Sequence, residues 1–170
     1  MSSGRQTCSG ETAGAHRALS SLTFPRHTAG TLKLSVKSDY AARAVLALAR
    51  RYGTDESTRI DVIAAENSIP PNYLVQILIE LKSGDIVKSR RGKEGGYLLA
   101  RPPGEITFGD VLHSIHGQLF DSPAFTDPTC PPELRQCWER LREAVDSAGA
   151  KINFQQILDD TTEKDRMFYI

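Results

Sequence analysis

Residues Ser89 to Ala100 read SRRGKEGGYLLA. Arg90, Arg91 and Lys93 crowd positive charge into a stretch that Gly92, Gly95 and Gly96 make conformationally free. Cations on a sharply turning backbone suit an anionic partner. A phosphate-binding loop, a plain hairpin turn and a wing that touches DNA all have this composition. The first needs Gly-x-x-x-x-Gly-Lys-Ser/Thr spacing, which these residues lack. No motif places a Ser/His/Asp set or a carboxylate pair, so the sequence does not read as an enzyme.

The charge distribution supports a nucleic-acid partner. Formal net charge over the 170 residues is zero, but that average is misleading. Residues 31–104 carry 12 Lys/Arg against 8 Asp/Glu, whereas residues 105–170 carry 6 against 12. A basic middle and an acidic end fit a DNA-binding half joined to a half with another task. The three cysteines, Cys8, Cys130 and Cys137, cannot all pair within one chain. A reducing compartment, the cytoplasm, is therefore expected. No apolar run approaches the length of a bilayer span, so no membrane partner is expected. Residues 1–31 are rich in Ser, Gly, Thr and Ala and lack the apolar core of a secretion signal. They are expected to form a disordered extension.

The elements that must position the basic stretch follow from periodicity. In SDYAARAVLALARRYG, Tyr40, Ala44, Val45, Leu48 and Ala49 recur at helical spacing, with Ser38 as the expected cap and Gly53 as the stop. Asp61–Glu66 and Pro71–Lys82 are two further helical patterns. They are joined by Asn67-Ser68-Ile69, a polar turn with one apolar anchor. Pro70 and Pro71 suit the first turn of a helix, where a missing N–H costs nothing. Two short helices around a tight turn make a helix-turn-helix pattern. Ile86–Ser89 and Gly96–Ala100 read as strands on either side of the glycine-rich loop. Helix, helix, helix, hairpin is the order of a winged helix.

The fold class expected is thus mainly α with a small β-hairpin. A winged helix-turn-helix domain spans 32–117, an effector or sensor loop 118–130, and a dimerisation helix with a C-terminal segment 131–170. Thr107 is expected to cap the helix FGDVLHSIHG, and Gly117 to end it. In the long helix from Pro131, Leu134, Cys137, Trp138, Leu141 and Val145 form an apolar stripe; Leu134, Trp138, Leu141 and Val145 are read as a dimer interface and Cys137 as a buried structural thiol. Asn153 is expected to cap a last helix.

Taken together, LKLSVKSDYAARAVLALA, YLVQILIELKSGDIVKSRRGKEGGYLLARPPGEITFGDVLHSIHG, Trp138, Ala144-Val145 and Asn153-Phe154 resemble the Rrf-two family of bacterial regulators, which includes the IscR, NsrR and CymR types. The resemblance covers roughly Leu32 to Asp160. It implies a homodimer of winged-helix domains that clasps itself through a long C-terminal helix and binds a two-fold DNA operator, most simply as a repressor. It places the helix from Pro71 in the major groove, with Asn72, Val75 and Gln76 exposed and Tyr73 beside them. Asn and Gln can each offer a paired donor and acceptor to a base edge. Val75 departs from a family pattern in which an acidic residue often stands between Tyr-Leu and Gln. In the wing, the resemblance assigns DNA contacts to Ser89, Arg90, Arg91, Gly92, Lys93, Gly95 and Gly96. Arg91 is the residue expected in the minor groove, where a narrow A·T tract attracts arginine. Lys33, Lys37, Tyr40 and Arg43 would add contacts to the phosphate backbone, which position without specifying.

Many members of that family hold an iron–sulfur cluster through three cysteines before the long helix. Here only Cys130 and Cys137 stand in that region, with His113 and His116 on the preceding helix. The expectation is a cluster-free regulator with no metal or other cofactor, answering to a small molecule or a partner protein. Two alternatives stay open. One is the same fold sensing redox state or a metal (zinc or an iron–sulfur cluster) through Cys130 and Cys137. The other is a winged-helix module that binds protein.

Overall fold

The computed structural model describes residues 35–54, 56–92 and 95–167, with side chains as far as Thr161. The expected N-terminal extension, Lys33 and Lys93 lie outside the described residues.

The first helix, α1 (Val36–Ala49), starts earlier than the expected cap at Ser38. Ser35 takes that role, its hydroxyl accepting from the Ser38 N–H at 3.3 Å. Ser38 falls inside the first turn and is buried. The cap falls three residues earlier than expected because the face carrying Ser38 turns inward. There its hydroxyl lies 2.5 Å from His116 Nε2. The inner face of α1 is built from Ala41, Ala44, Val45, Ala47 and Leu48. Small side chains let neighbouring helices approach closely, and α1 packs against both α3 (Pro71–Ser83) and α4 (Phe108–His116).

Helix α2 (Ile60–Glu66) and α3 form the helix-turn-helix. In the turn, Ser68 adopts a left-handed φ of 53°, and Ile69 is buried as the expected anchor. Pro71 opens α3 at its first position. Leu74, Ile77, Leu78 and Leu81 form the buried stripe of α3 and are fully enclosed.

Strands β1 (Val87–Arg90) and β2 (Gly96–Leu99) pair antiparallel, with Val87 opposite Leu99 and Arg90 opposite Gly96. One partner was not legible in the sequence. Thr58, ahead of α2, bridges to Tyr97 through two backbone hydrogen bonds of 2.9 and 2.8 Å. The wing therefore has a third backbone contact that ties it to the start of the helix-turn-helix. Helices, hairpin and their order are those of a winged helix.

Thr107 caps α4 as expected, in a reciprocal capping box with Asp110, both bonds being 3.0 Å. Gly117 ends α4 with φ 77°. The long helix α5 (Pro132–Ala150) is followed by α6 (Phe154–Met167). Asn153 accepts from the Gln156 N–H at 2.9 Å, capping α6. The starts of α4 and α6 are stitched together: Phe108 N–H donates to Ile152 O at 2.7 Å, and Phe154 N–H to Ile106 O at 3.1 Å.

That stitch places Phe154 among the fully buried side chains of the core, with Ile106, Val111 and the α3 leucines. Residues up to 117 therefore do not close the core alone. Further on, Gly109 and Gly149 mark a tight crossing of α4 and α5. A methyl group on Gly109 would lie 3.0 Å from the Gly149 carbonyl carbon. Backbone atoms cannot swing aside as a side-chain tip can.

Removing a buried aromatic ring leaves a cavity that rigid neighbours fill poorly. Phe154→Ala is expected to lower the unfolding free energy by about 3–5 kcal/mol in urea denaturation. A change within about 0.5 kcal/mol, the range of ordinary surface substitutions, would mean that α6 is not part of the core.

Candidate nucleic-acid interface

Successive residues of an α-helix turn by about 100°. With Leu74, Ile77, Leu78 and Leu81 inward, Asn72, Gln76, Ile79 and Ser83 point directly away from the core. All four are exposed. Tyr73 and Glu80 lie on one flank of this outward row, and Val75 and Lys82 on the other.

Both flanks are anchored. On the first, Tyr73 meets Tyr40 of α1 edge-on, with ring centroids 6.4 Å apart. Lys37 pairs with Glu80 at 2.6 Å. On the second, Lys82 Nζ donates to Ser89 Oγ of β1 at 2.9 Å. Helix α3 is thus held between α1 and the wing with its outward row uncovered.

These contacts refine the expected roles. Lys37, expected at a phosphate, pairs with Glu80 and so helps to position α3. Arg43 pairs with Asp39 at 2.7 Å and reaches Asn67 O at 3.5 Å, beside the helix-turn-helix turn. Partly exposed pairs of this kind contribute roughly 0–1 kcal/mol. A DNA phosphate can therefore compete for either cation. Tyr40 is half-buried and braces Tyr73.

In the wing, Ser89, Arg90, Arg91 and Gly92 are exposed. Gly92 has φ 119°, a region that side-chain-bearing residues rarely enter. Gly95 and Gly96 have a different physical reason from the expected approach to phosphates. A methyl on Gly96 would lie 2.5 Å from Thr58 O, and one on Gly95 2.8 Å from Gly92 O. Their smallness is used inside the wing.

A shallow cleft runs between the wing base and the starts of α2 and α3. It is lined by Arg59, Asp61, Pro71, Ser89 and Arg90, among others. Arg59 pairs with Asp61 at 3.0 Å, and hydrogen bonding from that guanidinium holds the Asp61 carboxyl below its ordinary value. Arg59 escaped the sequence reading because it belongs to no motif. Its only signal was membership of the basic middle.

The stripe read along α5 divides in two. Trp138 stacks on Phe120 at 5.8 Å, and Arg142 lies over the Phe125 ring at 4.4 Å. Val145 is half-buried on this same side. Trp138 and Arg142 hold the 118–130 segment against α5. Arg135 adds a bond to Asp127 O at 2.7 Å, and the Thr129 hydroxyl keeps the Asp127 carboxyl below its usual range. Leu134, Cys137 and Leu141 lie on the adjoining flank and are exposed, in line with Ala144 and Ala148.

The potential metal ligands do not converge. His113 donates from Nδ1 to Gly109 O at 2.8 Å and turns Nε2 toward Asp146, 3.5 Å away. His116 faces Ser38 and Ser35. Cys130 is half-buried, its Sγ 3.7 Å from Pro131 O, while Cys137 is exposed on a flank of α5 and not the buried thiol expected, because no helix among the described residues covers that flank. Among the described residues, no group of three or more His, Cys, Asp or Glu is placed to hold a metal ion.

The sequence model of the Rrf2 family, described as "Iron-dependent Transcriptional regulator", matches residues 34–160. The chain is 37% identical over 142 residues to the HTH-type transcriptional regulator Rv1287 of Mycobacterium tuberculosis, covering 79% of this chain and 80% of that one. To the HTH-type transcriptional regulator CymR of Bacillus subtilis it is 32% identical over 138 residues, covering 81% and 91%. Among solved structures it is similar to IscR of T. potens, with TM-score 0.67 and 28% identity, covering 82% of this chain and 98% of that one. It is also similar to B. subtilis CymR, described as the global cysteine regulator, with TM-score 0.63 and 30% identity, covering 74% and 95%. Among the described residues, no helix is long and apolar enough to cross a membrane.

Because Gly96 abuts backbone, Gly96→Ala must displace either Thr58 or β2. It is expected to lower stability by about 1–3 kcal/mol. Amide exchange at Thr58 and Tyr97 should speed up at the same time. Unchanged protection of both amides would show that the bridge does not depend on that glycine.

Proposed function

This chain belongs to the Rrf2 family of DNA-binding transcriptional regulators, and from that premise we propose that it acts in the cytoplasm as a homodimeric repressor on a two-fold operator, with no resident metal cluster. The observation that carries this reading is the uncovered outward row of α3, held between α1 and a cationic wing.

In the major groove, the side-chain amides of Asn72 and Gln76 each present a donor and an acceptor to a base edge. Arg91, beside the left-handed Gly92 at the wing tip, is the side chain aimed at the minor groove. Arg43, Arg90 and Tyr40 contact phosphates and set the register without reading sequence. Lys37 acts one step back, through Glu80, to hold α3 at its angle.

A second copy of the chain covers the outer side of α5. Leu134, Cys137, Leu141, Ala144 and Ala148 alternate at spacings of three and four, the seam of a helix that packs on another helix. Leu134 and Leu141 are 48% and 44% exposed in the single chain, more than an inward-facing leucine would be. Two α5 seams related by a two-fold axis present two α3 helices to a palindromic site. The absence of a cluster is supported by the dispersal of His113, His116, Cys130 and Cys137 among the described residues. We assign the response to a small molecule or partner protein to the 118–130 segment, which rests on α5 through Trp138 and Arg142.

Arg91→Ala is expected to weaken operator binding by about 1–3 kcal/mol at fixed salt, measured by gel shift. An unchanged dissociation constant would remove the wing from the interface. Leu141→Glu places a charge in the apolar seam and is expected to yield a folded monomer in sedimentation velocity. A variant that stays dimeric would move the dimer interface off α5.

A further inference from the structure

The groove-facing side of α3 is not uniformly polar. Val75 is 37% exposed and Ile79 50% exposed. They stand four residues apart, among the amides of Asn72 and Gln76. Val75 lies on the flank nearer the wing, the same flank from which Lys82 reaches Ser89. Neither side chain helps to close the core, whose α3 contribution is complete in Leu74, Ile77, Leu78 and Leu81.

A valine in this position can neither donate nor accept a hydrogen bond. It discriminates bases only through shape and apolar contact. Its β-branch leaves one strongly preferred rotamer in a helix, so its methyl groups are held rigidly at the helix surface. Among the base edges of the major groove, the apolar feature is the 5-methyl group of thymine. A fixed apolar surface beside two base-reading amides therefore has one natural counterpart.

We propose that Val75, backed by Ile79, is a specificity-determining residue that reads a thymine 5-methyl group in each operator half-site, next to the bases read by Asn72 and Gln76. This rests on α3 entering the major groove, as set out above. The chemistry has a corollary. A 5-methylcytosine at that position presents the same methyl group and is preferred over cytosine.

Replacing thymine by uracil removes the methyl group and nothing else. The full-length protein is used to select bound sequences from a randomised duplex pool. Each thymine of the selected operator is then replaced singly by deoxyuridine. One position per half-site is expected to lose about fourfold in affinity, the worth of one buried methyl group. That sensitivity should disappear in Val75→Ala, an exposed-site change that leaves the core intact. At the same position, 5-methylcytosine should bind more tightly than cytosine to the unsubstituted protein and equally to Val75→Ala. The proposal is overturned if no thymine is sensitive to the replacement, or if the sensitivity persists undiminished in Val75→Ala. Failure to select any duplex would instead overturn groove binding by α3, and this inference with it.

Discussion

Everything at the proposed DNA-facing surface depends on how α3 is clamped along its length. Its leucine and isoleucine stripe is fully enclosed against a face of α1 built largely from alanine. Burying four such side chains contributes roughly 1.5–3 kcal/mol each, far more than any surface contact in the molecule. That burial sets the rotation of α3 about its axis. Once the rotation is set, Asn72, Gln76 and Ile79 point outward because no other direction remains. The polar contacts on either flank, Lys37 to Glu80 and Lys82 to Ser89, are small in energy. Their effect is directional: they keep the helix from rolling between α1 and the wing.

The same reasoning explains why several nominated DNA contacts have structural work as well. Lys37 and Arg43 are basic and near the surface, which is all that a sequence records. In space each meets a carboxylate and adds to the frame that presents α3. The wing glycines divide similarly. Gly92 serves a left-handed turn, whereas Gly95 and Gly96 are small because backbone carbonyls press against them. Glycine has more than one physical use, and composition cannot tell a turn from a close approach.

The C-terminal half joins the core rather than trailing from it. Paired caps at Thr107 and Asn153, linked by two backbone hydrogen bonds, bring Phe154 under the first helices. The crossing of Gly109 and Gly149 holds α5 against α4 at backbone distance. Helix α4 in turn packs against α1 and α3. The 118–130 segment sits on α5 through Trp138 and Arg142, leaving Leu134, Cys137, Leu141, Ala144 and Ala148 exposed along the adjoining flank.

Local patterns along the chain were enough to determine the winged-helix order, the turn anchor Ile69, the caps at Thr107 and Asn153, the stop at Gly117 and the cationic wing. Each of these depends on interactions within a few residues, such as a cap and its N–H or a helical period and its buried face. The tertiary structure alone showed that Ser35, and not the expected Ser38, caps α1, since that turns on which face packs inward. It alone revealed the pairing of Thr58 with Tyr97, a backbone contact that leaves no trace in side-chain types. It also divided the α5 stripe, because Trp138 and Leu141 are neighbours on a helix yet face different surroundings. Which side a residue faces is set by what packs against it, and those partners lie far away along the chain.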